Sequence, residues 1–256
     1  MVEKNYLTKE EQRLWACIGG KGIVDSELAR MAFPDMLENK RDKMMHSLQA
    51  KGYLRRAKKG LYYNPEVSDS FYRIALRMRP GYIGFASALK LHNLLDYEDF
   101  TIFVATRGYS GAAPIGESQY SAKFIPLGQL FTGFEEIGGI MASSVEKTLF
   151  DCLLKPGLMG FPAITKALYD ARMDWKAFLG FFKLTDNSSM CQRTGYILKL
   201  MEEEAKLKVP DFVFAELQKR VGGPARLAPS GGRSSFDKEW QIQDNIGREN
   251  ILSWWR

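Results

Sequence analysis

The chain has 256 residues, 45% of them hydrophobic and 26% charged, the composition of a soluble globular protein with room for two domains. No apolar run approaches the ~20 residues of a membrane span, and the start MVEKNYLTKEE lacks a signal-peptide apolar region, so a cytoplasmic protein without membrane attachment is expected. The net charge of +6 is uneven: residues 1–64 hold 13 Lys/Arg against 8 Asp/Glu, whereas residues 65–256 hold 23 against 22, which marks the first quarter as a polyanion-binding module.

Thr8-Lys9-Glu10-Glu11 matches a capping box, with Leu14, Trp15 and Ile18 as the apolar face of a first helix. Gly19-Gly20-Lys21-Gly22 stops it, and Ile23-Val24 reads as a short strand or buried connection. Asp25-Ser26 begins a second helix with Leu28, Met31 and Ala32 inward. A third helix follows, on which Met44, Met45 and Leu48 share one face with the stem of Arg41 at its edge. Gly52 takes the left-handed conformation that ends it. The opposite face carries Asn39, Lys43, His46 and Ala50, flanked by Lys40 and Ser47. Tyr53 to Ala57 and Leu61 to Tyr63, joined by Lys58-Lys59-Gly60, then form a hairpin with a basic tip.

Between Asn39 and Tyr63 there are eight Lys/Arg and one acidic residue, a net +7. Three helices followed by a basic hairpin predict an N-terminal winged helix-turn-helix over residues 1–66, whose third helix enters a DNA major groove; the alternatives are a small helical domain with a solvated basic face and a winged helix used for protein contacts. The candidate DNA-binding residues are Asn39, Lys40, Arg41, Lys43, His46 and Ser47 on the helix, with Arg55, Arg56, Lys58 and Lys59 on the wing. Phosphate contacts from lysines give affinity; Asn39, Lys43 and His46 are the candidates for sequence reading.

The remainder, 67–256, reads as a mixed α/β C-terminal domain, so the class is α+β. Phe71, Ile74, Ala75 and Met78 keep helical spacing, and Tyr82 to Leu91 reads as a buried helix. Phe100 to Thr106 is the strongest strand by β-branched and aromatic content. Residues 107–118 read as a Gly-rich loop, Tyr120 to Ile125 and Gly139 to Ala142 as strands, and Ser144 opens a helix. Residues 161–183 and 193–207 read as further helices, 221–235 as a flexible loop, and 236–256 as a Trp-rich tail that docks back or meets a partner.

Catalytic chemistry is weakly supported. The Gly-rich loop lacks the Gly-Lys-Ser/Thr ending of a phosphate-binding loop. The two histidines, His46 and His92, and the scattered Cys17, Cys152 and Cys191 offer neither a triad nor a metal set. Glu135-Glu136 and Glu202-Glu203-Glu204 are adjacent carboxylates, which do not face each other on a helix. Glu146 and Asp151 on one helix, with Arg193 and Tyr196 on another, suggest a buried ion pair between helices. No enzyme activity, cofactor or metal is expected. The alternatives are a nucleic-acid-processing enzyme using Glu146 and Asp151 with a metal, or a ligand-sensing regulator.

The basic hairpin ending RRAKKGLYYNP, then YIGFASALKLHNLLD, EKTLFDCLLKPGLMG and RTGYILKLME, in that order, resemble the AbiEi family over roughly residues 8–205. These are antitoxin-regulators of type IV toxin–antitoxin (abortive infection) systems. The resemblance implies a winged helix that binds promoter inverted repeats in double-stranded DNA and represses its own toxin operon. It also implies a C-terminal domain that counters a nucleotidyltransferase-like toxin without forming a stable complex. On this chain the implied DNA-reading positions are Asn39, Lys40, Lys43, His46 and Ser47, with Arg55, Arg56, Lys58 and Lys59 on the wing.

Overall fold

The computed structural model describes residues 6–67, 70–96, 100–232 and 235–255. It is a mixed α+β protein that packs as two compact units. The first comprises Met1–Gly81 with Phe100–Ile125, and the second Tyr82–Asp99 with Pro126–Arg256. This division does not follow the boundary at residue 66 expected from the charge pattern, because residues 71–81 and 100–125 pack with the N-terminal segment.

In the first unit, α1 (Lys9–Ile18) opens on the expected capping box: Thr8 accepts from the Glu11 amide and Glu11 accepts from the Thr8 amide. Then come β1 (Ile23–Asp25), α2 (Ser26–Ala32), α3 (Glu38–Ala50), β2 (Arg55–Lys58) and β3 (Leu61–Tyr63). The strands form an antiparallel sheet in the order β1-β3-β2. Gly52 (φ 80°) ends α3 and Gly60 (φ 74°) turns the hairpin. Leu14, Ile18, Val24, Met45, Leu48 and Leu54 form the core between helices and sheet. Met31, expected inward, is 65% exposed. On this seven-residue helix Ala29 is the buried centre, and a residue two positions on points about 200° away at 3.6 residues per turn.

The first unit continues with α4 (Phe71–Met78), whose Ile74, Ala75 and Met78 are buried as their spacing predicts. Counting from the Tyr82–Ile83 strand of the second unit as β4, the first unit holds β5 (Thr101–Thr106), β6 (Gly111–Pro114) and all but the last residue of β7 (Ser121–Pro126), adjacent in the order β6-β7-β5. The expected Gly-rich loop therefore contains a strand. Gly-Ala-Ala-Pro has little β-propensity of its own and is held by antiparallel pairing with β7.

In the second unit β4 pairs in parallel with β9 (Ile140–Ser143), which pairs antiparallel with β8 (Phe134–Ile137). Tyr82-Ile83 thus belongs to a strand, and the helix expected over Tyr82 to Leu91 shortens to α5 (Phe85–Leu91). Glu135 and Glu136 lie on the strand β8 and are exposed. The helices are α6 (Val145–Leu154), α7 (Phe161–Asp170), α8 (Trp175–Phe182), α9 (Ser188–Ala205) and α10 (Asp211–Gln218). β10 (Ala225–Arg226), β11 (Ser235–Asp237), β12 (Ile242–Asp244) and α11 (Arg248–Ile251) complete the chain. Within the expected 221–235 loop, Ala225 and Arg226 are therefore a strand parallel to β12, and Ser235 opens the antiparallel β11. The tail docks back. Trp240 is fully buried, its ring occupying the space where Gly195 of α9 has no side chain, and Trp254 Nε1 donates to Thr165 Oγ1 at 2.7 Å.

Candidate nucleic-acid interface

Glu11 fixes α3 to α1. Besides closing its own helix, it accepts from Ser47 Oγ at 2.5 Å and from Lys51 Nζ at 2.6 Å, while itself only 5% exposed. Burial alone would raise its pKa. The bonds from Lys51, Ser47 and Thr8 outweigh burial and lower it from 4.5 to about 2. Ser47, expected to face DNA, is therefore committed to the helix–helix joint. Arg41 is committed as well: its guanidinium donates to the Phe33 carbonyl at 3.1 Å and to the Met36 carbonyl. It holds the turn between α2 and α3, where no side-chain cap begins α3.

What remains outward on α3 is Asn39, Lys40, Lys43, His46 and Ala50, all exposed. Lys40 meets Glu10 of α1 at 2.7 Å, with both side chains about half exposed, a pair of little energetic weight. Glu38 and Asp42 are also exposed on this helix, so its face is mixed rather than uniformly cationic. His46 stands edge-on to Tyr62 of β3, with ring centroids 6.2 Å apart. Arg56 is the cross-strand partner of Tyr62. Burial raises the Tyr62 pKa, the Arg56 charge opposes that rise and Asp42 adds to it. Asp42, His46 and Arg56 thus flank the buried Tyr62 where α3 adjoins the hairpin.

The hairpin is short and anchored. Lys58 Nζ donates to the Met78 carbonyl of α4 at 2.5 Å, so its ammonium is partly spent on the protein. The Gly116 amide donates to the Ala57 carbonyl at 3.0 Å. A Cβ at Gly116 would lie 2.1 Å from the Arg56 carbonyl oxygen, so only glycine allows this approach. Arg55 and Lys59 are exposed and Arg56 half-buried. A groove of about 770 Å³ runs along β2 and the end of α3, lined by Arg55, Arg56, Lys58 and Lys59 and by the acids Glu66 and Glu117.

The ten expected residues therefore fall into two groups. Asn39, Lys40, Lys43, His46, Arg55, Arg56 and Lys59 present groups to solvent or to the groove, which the stem of Lys58 also lines. Arg41, Ser47 and Lys58 bond to Phe33 and Met36, to Glu11 and to Met78.

In the second unit the expected pair between an acid of α6 and Arg193 does not form. Arg193 donates to the carbonyls of Leu227 at 2.9 Å and Leu153 at 3.1 Å. Glu146 accepts from the Asp174 amide, and Tyr196 donates to Asp244 at 2.8 Å. Asp151 pairs with Lys147 one turn earlier on α6, both side chains wholly buried. Burial raises the Asp151 pKa to about 6 against the pull of Lys147, and lowers that of Lys147. Lys147 also lies 5.3 Å from the Phe150 ring centroid and 5.8 Å from that of Phe181. The i, i+4 spacing of Lys147 and Asp151 was available in the sequence; their burial was not. Among the described residues no three His, Cys, Asp or Glu side chains gather to hold a metal ion, and no helix is long and apolar enough to cross a membrane.

No family model matches the chain, and no curated protein does. Among solved structures, the crystal structure of the RV2827C protein from Mycobacterium tuberculosis is similar, with a TM-score of 0.67 and 16% sequence identity over 98% of this chain and 95% of that one. This chain therefore shares the mixed α+β fold of that protein along nearly its whole length.

Proposed function

We propose that the chain is a DNA-binding transcriptional repressor whose residues 6–66 form a winged helix-turn-helix. The observation that carries this reading is the arrangement of α1, β1, α2, α3, β2 and β3, with sheet order β1-β3-β2 and an outward face of α3 bearing Asn39, Lys43 and His46 beside the cationic hairpin. In this reading Asn39, Lys43 and His46 reach base edges, and Lys40, Arg55, Arg56 and Lys59 hold phosphates. Arg41, Ser47 and Lys58 orient α3 and the hairpin. One such head covers little DNA, so two copies occupy half-sites about 10 bp apart or a multiple of that.

The resemblance to AbiEi antitoxins extends the proposal: the target is the promoter of the chain's own toxin operon, and the remainder of the chain counters a nucleotidyltransferase-like toxin without a stable complex.

A gel shift against the DNA upstream of its own gene, beside scrambled DNA of equal length at two salt concentrations, tests the repressor reading. Binding that favours the upstream DNA and survives the higher salt is expected. Equal, salt-labile binding to both would reduce the reading to a basic surface. Lys43→Ala is expected to cost about 1–3 kcal/mol on the operator and far less on scrambled DNA. Co-expression with the neighbouring gene tests the antitoxin reading, growth rescue without co-purification being the expected result.

A further inference from the structure

The cations of the first unit do not end with the hairpin. Lys58 bonds to the Met78 carbonyl at the end of α4, which brings it beside Arg79. Burial first, and then the Arg79 charge, lower the Lys58 pKa. Arg79 is exposed and lies 4.2 Å from the ring centroid of Tyr109, itself 42% exposed. Two residues earlier, in the last turn of α4, Arg77 reaches Asp25 at 3.8 Å. That carboxylate is already engaged in capping α2 through the Leu28 amide. Lys59 is exposed at the hairpin tip, and Arg107 is exposed on the same β5–β6 turn as Tyr109.

The frame that holds these groups is tight. At Gly81, just beyond α4, a Cβ would lie 2.2 Å from the Ala105 carbonyl oxygen of β5. The β5–β6 turn is closed by Thr106 Oγ1 donating to the Tyr109 carbonyl at 2.5 Å. The Tyr109 ring rests over Gly111, where a Cβ would lie 2.9 Å from its hydroxyl, and stands edge-on to Phe124 at 5.5 Å. A guanidinium laid on an aromatic face is fixed in plane while its N–H edges stay free to donate. Like charges held side by side at a surface destabilise the free protein, and a polyanion laid across them relieves the repulsion. Phosphates spaced along a backbone match such a row; a single small anion would use one member of it.

We infer that Lys59, Arg77 and Arg79, with Lys58 anchoring the hairpin to the end of α4 and Tyr109 as the platform for Arg79, form a phosphate-backbone strip that carries DNA past the hairpin onto α4 and the β5–β6 turn. The inference rests on the DNA-binding reading above and adds to it residues beyond the three-helix head. The strip supplies affinity without sequence information, since guanidinium–phosphate contacts are blind to the base.

The test is the salt dependence of binding by the full chain, on operator and scrambled duplexes, for the wild type, Arg77→Gln/Arg79→Gln and Arg77→Lys/Arg79→Lys. Each lost phosphate contact flattens the slope of log K against log salt by about 0.9. The Gln pair is expected to flatten it by about 2 and to weaken both duplexes by the same factor, roughly tenfold or more at low salt. The Lys pair is expected to keep the wild-type slope, which separates charge from loss of fold. An unchanged slope in the Gln pair, a loss confined to the operator, or an equal loss in the Lys pair would each overturn the strip while leaving the repressor reading intact. A wild-type chain that binds neither duplex would overturn both.

Discussion

Replacing Glu11 by Gln tests whether one carboxylate orients the proposed reading helix. The side chain is nearly inaccessible and collects bonds from the Thr8 amide, Ser47 and Lys51, so its charged form is strongly favoured in the folded state. A shift from 4.5 to about 2 corresponds to roughly 3 kcal/mol at about 1.4 kcal/mol per pKa unit. Lys51 is 22% exposed, and solvent screening reduces the expected cost to about 2 kcal/mol. The pKa is depressed on folding, so this stability is fully present above the unfolded-state value near 4.5 and is lost as the pH falls through about 2. The difference between wild type and variant should therefore be flat from pH 7 to about 5 and shrink below that. Urea denaturation of the full chain at pH 7, 5 and 3 measures it. Amide hydrogen exchange in α1 and α3 locates it, with faster exchange expected in both helices. A difference under about 0.5 kcal/mol at pH 7, or one unchanged at pH 3, would refute the reasoning.

Substitutions at three further sites probe distinct features. Asp151→Leu or Lys147→Met strands a buried partner and should cost about 3–5 kcal/mol, whereas Lys147→Met/Asp151→Leu should recover most of that loss. Additive losses in this double-mutant cycle would show that the two groups do not act as a pair. Gly195→Ala forces a Cβ to within 2.0 Å of the Trp240 ring and should cost about 1–3 kcal/mol, with a change in tryptophan emission; a wild-type melting curve would contradict it. Gly116→Ala meets both a positive φ and the Arg56 carbonyl. It should free the edge of β2, seen as faster amide exchange across residues 55–63, and unchanged exchange there would show that the Gly116 contact does not hold the hairpin.

Local features were legible in the sequence. The Thr8–Glu11 box, the inward Met44, Met45 and Leu48, the left-handed Gly52 and the hairpin turn at Gly60 follow from spacing and backbone freedom within a few residues. The misplacements arise where a partner is distant in the chain. Ser47 is separated from Glu11 by 36 positions and Lys58 from Met78 by 20, so both read as free polar groups. Arg41 turned inward because the carbonyls of Phe33 and Met36 needed a donor, a demand visible only once the α2–α3 turn has a shape. β6 was hidden by its composition and α10 by the absence of any cap signal; α10 begins after Pro210 without a side-chain cap and is fixed by burial of Val213 and Leu217. The outward set on α3 was the legible part of the candidate site, because on an amphipathic helix the exposed residues follow from the buried ones.

The interleaving of the two units imposes an order on their maturation during synthesis. The first unit closes only when the segment Phe100–Ile125 has left the ribosome, and the second awaits the tail that carries Trp240 and Ile251. At about 5–20 residues per second, the 130 positions between Ile125 and residue 255 take roughly 6–26 s to make. During that interval each nascent chain carries a finished N-terminal unit beside an unfinished one. In the proposed repressor reading, the first unit would be able to engage DNA while the chain is still tethered to its transcript, and a chain truncated before Trp240 would keep the first unit and lose the second.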